Sequence, residues 1–144
     1  MEGGVCMNNI EIKDFFTECI FNFYDFKYQN MVNKIDSLNL INEKSIFYVK
    51  GLRNNDEKMI IYIFNEDKVI KVEYDPKENG QLNFNITKKS SIKNINFFID
   101  SDNYYSVTLS LGEDNIFLSK KDGSSDYKIY YRNVIKLIVD YFIK

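Results

Sequence analysis

Two periodicities divide this chain. From Asn8 to about Leu38 there is no Gly or Pro, and apolar residues recur at Ile12, Phe15, Phe16, Cys19, Ile20, Phe23 and Phe26, then at Met31, Ile35 and Leu38. Steps of three and four place such residues on one face of a helix. Tyr24, Tyr28 and Val32 interrupt a single stripe, so the spacing predicts two helices, over 9–26 and 28–38. After Asn42 the period falls to two, and runs rich in Ile, Val, Phe and Tyr alternate with turn residues. The predicted strands are Ser45–Leu52, Lys58–Phe64, Lys68–Tyr74, Gln81–Thr87, Ser91–Ile99, Tyr104–Leu111 and Asn115–Lys120. Asn, Asp, Pro and Gly fill the gaps between most of them, at 53–56, 65–67, 75–80, 101–103 and 112–114. Connections this short join antiparallel neighbours, because a parallel crossover needs about a dozen residues or more.

Helical spacing returns after Asp122-Gly123-Ser124-Ser125, with Tyr127, Tyr130, Tyr131, Val134, Ile135, Ile138, Tyr141 and Phe142 on one side of an amphipathic segment with a serine cap. Burying five or six such side chains at roughly 1.5–3 kcal/mol each gives this helix a strong drive to dock on an apolar surface. Met59-Ile60-Ile61-Tyr62-Ile63-Phe64 is apolar on both faces, so cover is expected on both sides, the outer one from the leading helices or else from a second subunit. The fold class expected is α+β: an N-terminal helical pair, a seven-stranded antiparallel sheet or partial barrel, and a C-terminal capping helix. Residues 1–8 read as a flexible tail and 9–144 as one domain, with 9–40 a helical extension of the body at 45–144.

Seven antiparallel strands closed by one helix resemble the pleckstrin-homology superfold, a bent sheet corked at one end. The resemblance covers about Ser45 to Lys144. Its most specific part is Ser90-Ser91-Ile92-Lys93-Asn94-Ile95, similar to the start of the fifth strand in bacterial members. Ile92 and Ile95 are three apart, so a bulge at Lys93-Asn94 is expected to return both to one face and bend the sheet. Phosphoinositide-binding members carry closely spaced basic residues in the first hairpin; here Lys50, Arg53 and Lys58 stand with Asp56 and Glu57 between. The Trp of the closing helix in that family has no counterpart.

The 144 residues suffice for one hydrophobic core. A net charge of −2, with Arg53 and Arg132 the only arginines, argues against nucleic acid, whose affinity comes from cations neutralising phosphates. Abundant Ile, Asn, Lys, Phe and Tyr without Ala or Trp suggests an AT-rich, bacterial or phage coding sequence. Cys6 and Cys19 are expected as free thiols, with no disulfide, in a cytoplasmic protein.

The chain has no His, which removes the usual base near neutral pH and the usual zinc ligand. It contains neither GxxxxGK nor GxGxxG. No catalytic, metal or cofactor residue is therefore assigned, and no cofactor is expected. Cys19 falls on the apolar helical stripe; Asp100, Asp102 and Asn103 lack the glycine and distal Glu of a calcium loop; Asp75, Glu78, Glu113 and Asp114 sit at hairpin tips. Two surfaces remain. Phe98 and Phe117 point away from their strands' inward sets and with Tyr48 form a candidate interaction patch. Lys50, Arg53, Lys58, Lys88, Lys89 and Lys93 are candidate anion contacts, for an acidic partner or a membrane surface, although lysines on an edge also deter strand pairing. The expected function is a non-catalytic module that binds a protein partner or itself as a homodimer. The alternative is a cone-shaped α+β domain of the nuclear-transport-factor or ketosteroid-isomerase type, around a small-molecule pocket.

Overall fold

The computed structural model describes residues 34–35, 37–40, 42, 44–50, 59–75, 81–111, 114–122 and 128–143. Seven strands occupy the regions where alternation predicts them: β1 (Ile46–Lys50), β2 (Met59–Phe64), β3 (Lys68–Asp75), β4 (Gln81–Lys88), β5 (Ile95–Ile99), β6 (Tyr105–Leu111) and β7 (Asp114–Leu118). One helix, α1 (Lys128–Ile143), follows them, as the spacing of Tyr131, Val134, Ile135 and Ile138 requires.

The strands do not form one seven-stranded sheet, which corrects the expected fold class. They form a four-stranded antiparallel sheet in the order β1-β2-β3-β4 and a three-stranded antiparallel sheet in the order β5-β6-β7. The division falls where a bulge was expected. Instead of a bulged strand over 91–99 there is a 3-10 turn at Lys89–Ser91, and β5 starts only at Ile95. The Lys89 N–H carries the β3–β4 register one residue further by donating to the Asp67 carbonyl at 2.8 Å, and the Ile92 N–H then closes the turn on the Lys89 carbonyl at 3.1 Å. The turn carries the chain away from β4, and among the described residues β4 pairs with β3 alone and β5 with β6 alone. Ile92 and Ile95 part company: Ile92 is buried and Ile95 half-exposed.

The predicted N-terminal helical pair is not present among the described residues. Residues 9–33 lie outside them, and of the second predicted helix only Lys34, Ile35 and Ser37 are described as helical. Among the described residues α1 is the one α-helix of more than a single turn. The flexible tail at 1–8, both cysteines and the serine cap at 124–125 also lie outside the described residues.

Alternation sorts the first sheet into two apolar faces. Phe47, Val49, Met59, Ile61, Ile63, Ile70, Val72 and Tyr74 share the outer face, where Ile35 and Leu40 pack. Ile46, Tyr48, Tyr62, Phe64 and Val69 share the inner face. There they meet Val107 and Leu109 of β6, Ile116 and Leu118 of β7, and Tyr131, Val134, Ile135 and Ile138 of α1. Both faces of β2 are thus buried, as its unbroken apolar run implied. Whether the leading segment supplies the rest of the outer cover falls outside the described residues.

Candidate functional site

Three polar arrangements and one apolar edge stand out from this framework. The most buried polar arrangement closes the corner between β1 and β7, which share no ladder. Tyr48 is 1% exposed and sends its hydroxyl to the turn after β7 (Lys120–Asp122). The Asp122 carboxylate and the Ser119 carbonyl, the latter at 2.9 Å, both lie within reach of its one proton. The carboxylate is the stronger acceptor because it is charged. The Ser119 N–H is shared between Tyr48 Oη and Asp122 Oδ2, at 3.1 Å each. Lys50 completes the corner, donating to the Phe117 carbonyl and lying 3.6 Å from Asp122 Oδ1. Tyr131 stacks edge-on against Tyr48 and donates to the Val49 carbonyl at 2.6 Å.

Burial raises the Tyr48 pKa far above its ordinary value, and the Asp122 charge raises it further. A phenol held protonated this firmly is a hydrogen-bond donor and not a base at physiological pH. The corner is therefore a latch between β1 and the turn after β7, and it removes Tyr48 from the patch in which the sequence placed it.

A second arrangement fixes the chain before β1. Ser45 donates to Asn65 Oδ1 at 2.5 Å, Asn65 Nδ2 donates to the Leu40 carbonyl at 2.7 Å, and the Asn42 N–H donates to Ser45 Oγ at 2.9 Å. Each group is satisfied, as burial demands.

The third concerns Lys89. Its Nζ donates to the Tyr141 carbonyl at 2.6 Å and lies 4.1 Å from the centre of the Tyr141 ring. Tyr141 belongs to the last turn of α1, which carries no basic residue of its own. Lys89 thus caps the helix from outside, meeting orphan carbonyls and the negative end of the helix dipole. Burial, then the Asp67 charge, pushes the Tyr141 hydroxyl up to about 12. Lys89→Met is expected to lower stability by about 1–2 kcal/mol, the sum of a dipole and a cation–π contribution. A urea melt checks it, and an unchanged midpoint would refute the capping role.

The remaining predicted residues divide cleanly. Lys88 and Lys93 are exposed, whereas Lys50 and Lys89 are engaged with carbonyls and, for Lys50, a carboxylate. Those six lysines and arginines are therefore not brought together as one free basic surface; Arg53 and Lys58 lie outside the described residues. Asp100 Oδ1 accepts the N–H groups of Asp102 at 2.8 Å and Tyr104 at 3.0 Å, so it shapes the β5–β6 reversal, with Asn103 at φ 65°. That is the turn chemistry of Asp and Asn. Among the described residues no group of three metal-ligating side chains forms. Asp75 ends β3, while Glu78 and Glu113 lie outside the described residues.

Phe98 and Phe117 are exposed, at 49% and 45%. Phe98 lies opposite Ser106 and Phe117 opposite Thr108, so both project from the outer face of the second sheet. They sit on strands two apart, about 10 Å by strand spacing alone, with β6 between them. What sequence reasoning missed is the exposure of the strand that carries Phe98. Every residue of β5 is exposed, including Ile95, Phe97 and Ile99, which share a face with the buried Val107 and Leu109 of β6. The inner apolar face of the second sheet thus runs on to an edge that the core does not cover. The signal was available: alternation put Ile95, Phe97 and Ile99 on one side, but it could not show where the covering layer stops.

Comparisons with protein-family models, curated proteins and solved structures found no match. Among the described residues no helix is long and apolar enough to cross a membrane.

Proposed function

We propose that this chain is a non-catalytic protein-interaction module that receives a partner strand along β5. One observation carries the reading. β5 is apolar at four of its five positions, exposed throughout, and among the described residues ladder-paired on one side only. Edge strands ordinarily carry a charge, a proline or a bulge that discourages pairing. Ile95–Ile99 has none of these. An open edge offers backbone donors and acceptors to an extended segment, and the half-buried Ile95, Phe97 and Ile99 offer it apolar contact on one face, with Phe98 on the other.

The same reading favours a divergent pleckstrin-homology-like architecture. Its support is the order of the elements: seven antiparallel strands, a break after the fourth in place of a smooth bend, and a helix packed on β1 and β6. Fold likeness would not itself define a ligand. The engagement of Lys50 and Lys89 within the fold weighs against an anionic membrane surface as the target.

The test compares the full chain with Phe98→Lys/Ile99→Lys in cross-linked co-purification from the source cells. Both side chains are about half exposed, so the double variant should keep its fold, which circular dichroism checks. Proteins recovered with the wild type are expected to fall at least tenfold with the variant. Equal recovery from both would overturn the proposal.

A further inference from the structure

We draw no further inference here: the strongest candidate, the outer face of the second sheet, on which the half-exposed Phe98 and Phe117 flank Ser106, Thr108 and Ser110 of β6, is an unpartnered sheet face, and nothing in the structure shows what covers it.

Discussion

Replacing Phe64 by alanine is expected to destabilise the protein by about 3–5 kcal/mol, a large part of the roughly 5–15 kcal/mol that holds an ordinary domain together. Phe64 is 0% exposed at the end of β2. Its neighbours across the sheet are Ile46 on β1 and Val69 on β3, both on the inner face. From the other side two rings of α1 approach edge-on, Tyr141 with centroids 5.7 Å away and Phe142 at 6.0 Å. Such aromatic pairs add about 0.5–1.5 kcal/mol each beyond burial. Truncation would leave a cavity where the helix end meets the sheet, and the Lys89 cap on Tyr141 fixes that end too firmly for it to collapse inward. Phe117→Ala is the control: at 45% exposure on the outer face it should cost well under half as much. Urea unfolding of both variants checks the pair. A Phe64→Ala loss no greater than that of Phe117→Ala would mean that α1 is not seated on the inner face.

How much of this was legible beforehand follows from the range of the forces involved. The seven strands and α1 were readable because period two and period 3.6 are local, and because the apolar positions they select, Ile61, Ile63, Val107 and Leu109 in strands and Val134, Ile135 and Ile138 in the helix, are the ones found buried. The turn at 100–104 was readable for the same reason, since Asp100 and Asn103 act on their own backbone. The partition into two sheets was not. It depends on the chain turning at Lys89–Ser91 once β4 has run its length against β3, and a lysine between Lys88 and Ser90 gives no hint of that turn. The sequence showed an irregularity at 88–95 but not its form.

Tyr48 illustrates the same limit at the level of a single side chain. By alternation it belongs with Ile46, and a tyrosine is as acceptable on a surface as in a core if its hydroxyl finds a partner. Its partner, Asp122, is 74 residues away in a turn that looked like solvated punctuation. The open edge of β5 was hidden differently: its residues read as core, and only the extent of the opposing layer reveals that they are not.

The Tyr48 latch leads to the second large effect. Tyr48→Phe should lower stability by about 1.5–3 kcal/mol at neutral pH, the usual range for a hydrogen bond to a charged group. Asp122 would keep the Ser119 N–H and the nearby Lys50 ammonium, so the corner should loosen without opening. The pH dependence identifies the cause. Burial first, and the Asp122 charge second, raise the Tyr48 pKa in the folded state above its unfolded value near 10. Below that pH both states keep the proton, and the group's contribution is constant and fully present. Above it the unfolded chain releases the proton while the folded chain retains it, so stability falls by about 1.4 kcal/mol for each further pH unit. Phenylalanine cannot ionise and lacks this component. The stability advantage of the wild type over Tyr48→Phe should therefore stay level up to about pH 10 and then shrink with that slope. Chemical denaturation of both proteins at several alkaline pH values measures the difference directly, because the other tyrosines are common to both. Parallel curves across that range would mean that the Tyr48 hydroxyl ionises as readily folded as unfolded, and the corner would then be an exposed contact and not a buried latch.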